Sequence, residues 1–562
     1  MKSLRKLCLH AVLLLSMSVI AVSGWAQSDP TGNSPVTKTY ALTNATVITM
    51  PGTELKETTV VIKDGLIQSV GKNVSIPADA QVIDASELYV YSAFINGMSN
   101  TGAERPDNPE RPDDIFTPDP PNYYAGITPE NSVVDQLDVE NSGIGNLREI
   151  GFGISHTAPY GRMLPGSTAL IVLKDGEHPD DIIMQKDVAL FAQWIGAPGA
   201  YPGNILGMMA KWRNLYRNAE QDKRHSELYA QNPSGLPRPA NDRVSQAFFP
   251  VISKQKPVMF NVDGVLDVRR VLRLQKDLGF PVMVAGVEQA WELVDELKAT
   301  NTPIFLSLEL PDEPKEADKE DKSDEMKGLE TRRMEFYKTH VSQAAKLAEA
   351  GVPFGFAVGN VRSNSVWKNL QTYVDNGLSA DAALAALTTS PASIFGISQV
   401  AGTVEAGKVA NVMVTTAPLF TEDAKVKMMF VDGDKYEYEV KERKKAANAD
   451  AAPANNDPIA GTWNYTLQTP QGDQGGEMII SKEGGNYSGY LTSEDGSPDS
   501  NMNNISFRDG ELAFDFDVDA GGQSVNIVVV GAITGNTYDA VASVEFGGQS
   551  VSLDLTATRD GK

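Results

Sequence analysis

The sequence is poor in the two side chains that most often build metal and redox sites. One cysteine, Cys8, and five histidines occur among 562 residues. A disulfide scaffold needs at least a pair of cysteines, and a cysteine-based zinc site needs several, so both are excluded. Any metal chemistry in this chain must come from few imidazoles or from carboxylates.

Basic residues are also scarce relative to acidic ones. Lys and Arg total 49 against 73 Asp and Glu, which gives a formal net charge of −24. Phosphate binding needs a basic surface, so this balance argues against a nucleic-acid partner. It also disfavours docking on anionic lipid. Hydrophobic residues make up 41% of the chain, enough for a large core, and the length suggests three or four domains.

The first 26 residues have the organisation of an export signal. Basic residues precede an apolar run over residues 7–22, and small residues flank Trp25. We expect cleavage after Ala26, a polar leader at 27–35 and a periplasmic or secreted product. The alternative is a transmembrane anchor, which is disfavoured because the run is shorter than the ~20 residues that a span prefers. No later run approaches a membrane span.

Helical patterns alternate with short apolar strands between residues 91 and 397. The predicted strands lie at 258–261, 281–285, 303–310 and 353–358, and the predicted helices at 265–278, 288–299 and 332–350. Repeated strand–helix units indicate a parallel sheet, in either an open α/β fold or a (β/α)₈ TIM-type barrel. The highly charged stretch 311–333 is interpreted as a solvated insertion after a barrel strand.

Segments rich in β-branched residues flank this region at 36–90 and 398–440. Asp64-Gly65 is a strong hairpin-turn signal in the first of them. An Ala/Asn/Pro-rich linker follows at 441–457. These boundaries predict a β-rich layer contributed by both flanks of an α/β domain.

Residues 458–562 are Gly-rich and contain eight strand-like segments separated by turns. Eight short antiparallel strands predict a small barrel or sandwich. Gly461-Thr462-Trp463 resembles the Gly-x-Trp opening of lipocalin-like barrels. A barrel of this size holds one small ligand or only its own side chains, and we expect the latter.

Two segments at the ends of the α/β region carry family motifs. The first contains VVIKDGLIQSVG at 60–71 and IDASELYVYSAFINGMSN at 83–100, and the second contains NGLSADAALAALTTSPASIFGI at 376–397 and AGTVEAGKVANVMV at 401–414. These segments resemble the start and end of the metal-dependent amidohydrolase superfamily, in its imidazolonepropionase-like branch. The resemblance implies a (β/α)₈ barrel with a small β-sandwich built from both flanks, over residues 38–440.

The resemblance also implies a metal site, which this sequence does not reproduce. In the family, one or two divalent metals such as zinc activate a water at the C-terminal mouth of the barrel, and the water attacks an amide or ester carbon. Four histidines and an aspartate usually bind the metals. The matching positions here are Met98 and Asn100, Asn261, Ala285 or Gly286, and Gly359 or Asn360. Thioethers and neutral amides are poor zinc ligands, so no metal cofactor is expected.

Few other residues offer an alternative site. His156 lies in a strand-like segment that could face the barrel mouth, although a hydrogen-bonded core histidine is the favoured interpretation. Asp263 and Glu309 are the plausible carboxylates of the mouth and could hold Mg²⁺ or Ca²⁺ together with waters. Asp267 and Glu288 begin predicted helices, where acidic residues complement the helix dipole.

The remaining candidates have no ligand spacing with one another. His178 lies in a surface turn, His225 on a solvated helix face and His340 on an outer helix. Arg162 and Arg362 could bind an anion at the mouth. Neither a nucleophile elbow nor a phosphate-binding loop occurs in the chain.

Three functional hypotheses follow. In the first, the protein is a non-catalytic relative that binds a small molecule or peptide, or partners a catalytic amidohydrolase. In the second, it hydrolyses C–N bonds of amides or cyclic amides through an unorthodox site that uses Asp263, Glu309 or His156. In the third, the C-terminal module binds a polymer or a partner while the barrel acts as a scaffold. We favour the first.

Overall fold

The computed structural model describes residues 38–107, 109–314, 323–361, 363–421, 423–440, 457–468, 474–483, 486–492, 500–508, 510–519, 524–546 and 549–559. The chain divides into two compact units, whose described parts are 38–440 and 457–559. The predicted export signal, the polar leader and nearly all of the predicted linker lie outside the described residues.

The first unit contains strands β1 to β18. In chain order they are Tyr40–Met50, Thr53–Lys63, Leu66–Gly71, Gln81–Asp84, Tyr89–Ser92, Phe94–Ser99, Phe152–Thr157, Gly166–Ser167, Ala169–Val172, Ile183–Gln185, Leu190–Gln193, Val258–Asn261, Val282–Val287, Ile304–Ser307, Phe354–Ala357, Val412–Thr415, Val426–Val431 and Asp434–Glu437.

The same unit contains helices α1 to α13. In chain order they are Asn122–Ala125, Ser142–Glu149, Pro179–Ile182, Ile205–Gln231, Arg243–Ala247, Phe249–Ile252, Val265–Leu278, Val294–Thr300, Asp324–Val341, Gln343–Ala350, Ser363–Asp375, Ala380–Leu387 and Thr389–Ile394, with a 3₁₀ turn at Val133–Gln136. Within the described ranges, no helix is both long enough and apolar enough to cross a membrane.

One eight-stranded sheet joins the two ends of this unit. Its order is β18-β17-β16-β5-β1-β2-β3, and β4 pairs with β1. The predicted turn at Asp64-Gly65 joins β2 to β3, and Asp432-Gly433 joins β17 to β18. Both turns have positive φ at both residues, 51° and 77° in the first and 53° and 83° in the second, as two-residue hairpin turns require. The β-layer built from both flanks is therefore confirmed.

The barrel is built mainly from parallel strands. β6 pairs with β7, and β11 to β15 form a parallel run. Between these two groups, β9 pairs antiparallel with β7, and β8 pairs antiparallel with β11. The chain just after β15 meets β6, where the backbone N–H of Gly359 donates to the carbonyl of Met98 at 3.1 Å. Strands β6, β7, β9 and β11 are buried at every position, because a barrel strand is covered on both faces.

Two predicted helix boundaries in the barrel are wrong. The helix predicted to begin at Glu288 begins at Val294, so Glu288 follows strand β13 directly. The helix predicted at 332–350 is two helices, α9 and α10, separated at Ser342. The first error matters for function, because it places Glu288 on a loop at the mouth.

The second unit is a closed antiparallel barrel of eight strands, β19 to β26. In chain order they are Gly461–Leu467, Gln474–Glu483, Asn486–Leu491, Ser500–Arg508, Glu511–Asp519, Ser524–Thr534, Thr537–Phe546 and Gln549–Arg559. Each strand pairs with the next, and β19 pairs with β26, which confirms the predicted all-β domain. Buried side chains such as Trp463, Phe514 and Tyr538 fill its interior.

Candidate functional site at the barrel mouth

Three residues that the sequence resemblance matched to metal-ligand positions converge at the mouth. A Cβ added at Gly286 would lie 2.3 Å from Asn261 Oδ1 and 3.7 Å from Met98 Cε. Asn261 ends β12, while Met98 and Gly286 lie one residue before the ends of β6 and β13, so three separate strands bring these residues together. Ala285, the alternative match on β13, is fully buried opposite Asn261.

Hydrogen bonds within the chain occupy neighbouring positions of the same motif. Asn96 is fully buried, and its Oδ1 accepts from the backbone N–H of Val358 at 2.9 Å. Its Nδ2 donates to the hydroxyls of Ser99 at 2.9 Å and Ser155 at 3.0 Å. Asn100 donates to the carbonyl of Ala158 at 2.8 Å. These two side-chain amides hold β6 in place, and their hydrogen-bonding groups have partners within the chain.

Aromatic side chains fill the barrel below the convergence point. Phe305 is fully buried and lies on Gly97 and Gly355, where added Cβ atoms would lie 2.0 Å and 2.9 Å from its Cδ1. Its ring stacks on Phe395 with centroids 5.1 Å apart and an interplanar angle of 11°. The two glycines are required because only a position without a Cβ leaves room for the ring.

His156 belongs to this packed interior. The ring is fully buried and lies 4.5 Å, centroid to centroid, from Phe395. Nδ1 lies 3.2 Å from the carbonyl oxygen of Gly97 and Nε2 lies 2.6 Å from the hydroxyl of Thr168. A neutral imidazole satisfies both contacts, with Nδ1 donating and Nε2 accepting. Burial lowers the pKa of His156 to about 4, so the environment is that of a hydrogen-bonded core histidine.

Three carboxylates follow three adjacent parallel strands at the mouth. Asp263 follows β12, Glu288 follows β13 and Glu309 follows β14. Asp263 and Glu309 are exposed, and Glu288 is half-buried. Burial raises the pKa of Glu288, and the nearby charges of Glu309 and Asp263 raise it further. The backbone carbonyl of Asp263 accepts from the N–H of Glu288 at 3.0 Å, which ties the first two loops together.

The sequence pattern places Glu288 at the start of a predicted helix, so Glu288 was not identified as a residue of the mouth. Its position directly after a predicted strand could have identified it. In each of three consecutive strand–loop units, an acidic residue occurs one or two positions after the strand ends. The carboxyl ends of parallel barrel strands lie at one face, so these side chains share the mouth.

The other predicted candidates lie apart from the mouth or are engaged elsewhere. His178 is exposed before α3, and His225 on α4 contacts the carbonyl of Pro237 at 2.9 Å. His340 lies on helix α9, as expected, and its side chain is buried with 3% exposure. Arg162 donates to the carbonyl of Tyr124 at 2.7 Å. Arg362 lies outside the described residues.

The residues present at the mouth do not fit the divalent metal that the fold implies. The convergent donors are a thioether and an amide, and both ring nitrogens of His156 are held within the chain. Among the described residues, no three His, Cys, Asp or Glu side chains are grouped so that they could hold a metal ion. Zinc prefers imidazole, thiolate or carboxylate, so the donor set does not support the family's metal-activated water.

The barrel and its composite sheet define the class of fold found in amidohydrolases. An amidohydrolase from Thermotoga maritima has a similar structure, with a TM-score of 0.57 and 18% identity over 71% of this chain and 100% of that one. Two further structures have lower scores. A prolidase-like protein from Bifidobacterium longum has a TM-score of 0.41 at 18% identity, covering 72% of this chain and 95% of its own. An adenosine deaminase from Xanthomonas campestris with bound zinc has 0.34 at 13%, covering 70% and 92%.

A comparison of sequences supports the same relationship for one segment of the chain. Residues 304–435 match the model of the amidohydrolase family. No curated protein matches the chain. The first unit therefore has the amidohydrolase fold and carries an amidohydrolase-family segment, which confirms the predicted resemblance. At 18% identity the Thermotoga structure shows the fold alone, so the activity must be argued from the mouth itself.

Proposed function

We propose that this protein is an exported amidohydrolase-like protein that binds a ligand or a partner and does not carry out metal-dependent hydrolysis. The observation that carries this proposal is the convergence of Met98, Asn261 and Gly286 at the mouth. Hydrolysis in this fold depends on metal-bound water, and these three positions provide no strong metal ligand. The barrel framework is retained while the groups that would perform the chemistry are replaced.

The packing below the mouth supports the same proposal. Phe305, Phe395 and His156 form a continuous buried stack, and the His156 ring has no free nitrogen. A ligand at the mouth therefore meets a rim of carboxylates and amides above a closed aromatic interior. Such a surface suits recognition of a small molecule or peptide, or contact with a catalytic relative. Export to the periplasm or the medium, directed by the N-terminal segment, belongs to this proposal.

Metal content and amide hydrolysis test the proposal directly. Residues 27–562 should be purified without chelator and measured by mass spectrometry for bound zinc, then assayed on peptide, cyclic-imide and lactam substrates. We expect metal well below one equivalent and no hydrolysis that a chelator removes. The double variant Met98→His, Asn100→His is the comparison, because restoring the imidazole pair should increase zinc retention. Stoichiometric metal with chelator-sensitive turnover in the unmodified protein would refute the proposal.

A hydrolase with an unorthodox site is the second candidate, and the position of Glu288 favours it. A half-buried carboxyl with a raised pKa, such as that of Glu288, can act as a general acid, and a second carboxyl at the mouth, Asp263 or Glu309, can act as the base. If this candidate is right, Glu288→Gln and Asp263→Asn each reduce turnover by at least about a hundredfold. Glu292→Gln, an exposed acid on the same loop, is the control and should retain full activity. Equal rates in all three variants would exclude the candidate.

A further inference from the structure

Exposed apolar side chains are concentrated around the mouth. Among the described residues, six large hydrophobic side chains are more than half exposed, and five of them lie on segments that follow strands β6, β11 and β12 at their C-terminal ends. These five, with exposed fractions of 51% to 77%, form what we call the apolar surface: Phe116, Tyr123, Ile195, Leu206 and Leu266. Scattered exposed hydrophobic residues are ordinary, whereas grouped ones mark an interaction site.

Backbone contacts join two of the segments that carry the apolar surface. The N–H of Tyr201, after β11, donates to the carbonyl of Thr117 at 2.9 Å, next to Phe116. The hydroxyl of Tyr124, after β6, donates to the carbonyl of Pro198 at 3.3 Å. The loop after β6 therefore packs on the loop after β11, and their exposed apolar residues lie beside one another at the mouth.

An apolar groove lies between the loop after β11 and the start of α4. Trp194, Ile195 and Leu206 contribute to its lining, and the ring of Trp194 packs on Phe260 of β12 with centroids 5.1 Å apart. Residues 194–204 include no charged side chain. A ligand can therefore bury apolar area in this groove without removing a charge of that loop from water.

The strand register places a carboxylate next to the groove. Gln193, the last residue of β11, is in register with Asn261, the last residue of β12. Ile195 and Asp263 each lie two residues beyond this pair, so the groove and the Asp263 carboxylate follow neighbouring strands. Neighbouring strands lie ~4.8 Å apart. One ligand can reach both.

The carboxylates beside the groove have no basic partner. Among the described residues, no Lys, Arg or His forms an ion pair with Asp263, Glu288 or Glu309. The charges of Glu309 and Asp263 raise the pKa of Glu288 in addition to burial, so these groups are close enough to repel one another. A positive group on a ligand would relieve this repulsion.

The loop after β6 adds further negative charge to the same face. Asp113, Asp114 and Asp119 are exposed on either side of Phe116 in the chain. A second copy of this chain on the apolar surface would bring acidic loops against acidic loops, which is unfavourable. The charge of this face therefore fits a basic partner.

Basic residues near the mouth are directed to the chain itself. Arg105 lies 5.7 Å from the centroid of the Tyr160 ring, and Arg162 donates to a backbone carbonyl at 2.7 Å. Arg111 lies against the loop after β11, with Nη1 3.3 Å from the position of a Cβ added at Gly199. These contacts leave the acidic residues as the groups that a ligand meets.

The spacing of groove and carboxylates fits an extended peptide. Side chains on one side of an extended chain recur every second residue, ~7 Å apart. We propose that the mouth binds an extended peptide in which Lys or Arg lies two positions from an apolar residue, with the apolar side chain in the groove and the cation at Asp263. Further apolar residues of the peptide then reach Phe116 or Leu266. This assignment rests on the ligand-binding function proposed above and specifies the chemistry of the ligand.

Fluorescence anisotropy of a labelled peptide, with the mature chain of residues 27–562, tests this assignment. The probe is Gly-Leu-Ser-Lys-Ser-Phe-Ser-Lys-Gly, acetylated and amidated so that only its side chains are charged. One matched peptide replaces both Lys by Glu, and another replaces Leu and Phe by Ser. We expect saturable binding of the probe, and binding at least about tenfold weaker for each matched peptide. Added salt should weaken probe binding, because the carboxylates are exposed.

Two double variants assign the binding to the mouth. Ile195→Ser with Leu206→Ser removes the apolar lining of the groove, and Asp263→Asn with Glu309→Gln removes two charges. Each should weaken probe binding at least about tenfold, and the charge variant should also lose the preference for the Lys peptide over the Glu peptide. Leu228→Ser, at an exposed leucine near the other end of α4, is the control and should leave binding unchanged.

Several results would overturn the peptide assignment. Absence of saturable probe binding would do so, as would equal affinity for the Lys and Glu peptides or unchanged binding in both double variants. Sedimentation of the protein without peptide is a further check. A dimer that the groove variant dissociates would assign the apolar surface to a second copy of the chain instead.

Failure here is distinguishable from failure of the function proposed above. Mass spectrometry of the probe after incubation reports cleavage independently of binding. A protein that lacks metal, leaves the probe intact and does not bind it would reject the peptide assignment alone. Cleavage of the probe that a chelator abolishes would reject the non-catalytic function, whatever the affinity.

Discussion

Asn96 is a fully buried amide that links three parts of the barrel. Its amide accepts from Val358 on the chain after β15 and donates to Ser99 and Ser155. A carboxylate accepts hydrogen bonds but cannot donate them when ionised, so it could not make the same set. The residue type was visible in the sequence, but its role in joining β6 to the end of β15 was not, because those residues are far apart in the chain.

His340 is a polar residue whose burial the sequence did not indicate. It was expected on an outer helix, and it does lie on α9, but it packs against Trp291 and Phe336 at centroid distances of 5.6 and 6.0 Å. Neither ring nitrogen has a hydrogen-bond partner among the described residues. Burial lowers the pKa of His340 to about 4.

His340→Leu is expected to stabilise the first unit and to weaken its acid sensitivity. Two unpaired buried nitrogens are removed, which should contribute about 1 kcal/mol near pH 7. The histidine is neutral in the folded state and takes up a proton when unfolded below a pKa of about 6.5. The pH-dependent part of its cost is therefore absent well above pH 6.5, and it grows as the pH falls from about 6.5 towards 4, in addition to the constant cost of the unpaired nitrogens.

Urea unfolding at pH 7 and pH 5 measures both effects of the His340 substitution. The difference between variant and unmodified protein should be larger at pH 5. His225→Leu, at a half-exposed histidine, is the control and should show little change at either pH. A variant that is less stable at both values would contradict this explanation.

Among the elements, β6 and β14 show how closely the barrel strands depend on one another. Gly97 on β6 accepts the ring of Phe305 from β14, and Gly355 on β15 lies against the same ring. The alternation of strands and helices predicted these elements well, because hydrophobic periodicity is a local property. It did not predict which side chains fill the interior, since that depends on strand order and register.

Gly97→Ala is expected to destabilise the first unit by about 2 kcal/mol or more through overpacking. The added Cβ would lie 2.0 Å from Phe305 Cδ1, and the ring is fully buried between Gly355 and Phe395. Gly145→Ala, in helix α2 with no atom within 4 Å of the new Cβ, is the matched control. It should be neutral or stabilising, because Ala favours helix more than Gly does.

Chemical denaturation of both glycine variants checks the packing argument. The double variant Gly97→Ala, Phe305→Ala should be less destabilised than the sum of the two single variants, since the two side chains compete for one space. Strict additivity would mean that the ring and the new methyl group do not meet.

At the scale of the whole molecule, the chain is two units with separate hydrophobic cores. The C-terminal barrel is closed at the start of β19 by Arg559. Its guanidinium lies 4.9 Å from the centroid of the Trp463 ring. It donates to the carbonyl oxygens of Asp457 at 3.1 Å and Ala460 at 3.2 Å, and to the Asn536 side chain. The last strand is thereby tied to the first.

Arg559→Ala is expected to lower the unfolding temperature of the C-terminal unit alone. Loss of several hydrogen bonds from a buried guanidinium and of its contact with Trp463 should cost about 3 kcal/mol. Scanning calorimetry of the whole chain should resolve two unfolding transitions, and Arg559→Ala should lower the midpoint temperature of only one of them. Arg508→Ala, at an exposed arginine of β22, should change neither midpoint temperature. A single transition that shifts as a whole would show that the two units unfold together.

The sequence by itself predicted the alternation of strands and helices, the hairpin turn at Asp64-Gly65 and the eight strands of the last unit, and it carries the residue types behind the expectation that metal ligands are replaced. Each of these depends on residue type or on spacing along a short segment. Only the tertiary structure decided that Met98, Asn261 and Gly286 meet, that Glu288 lies at the mouth and that His340 is buried. These are contacts between residues distant in the chain, and they are set by the packing of whole strands and helices, which local patterns do not encode.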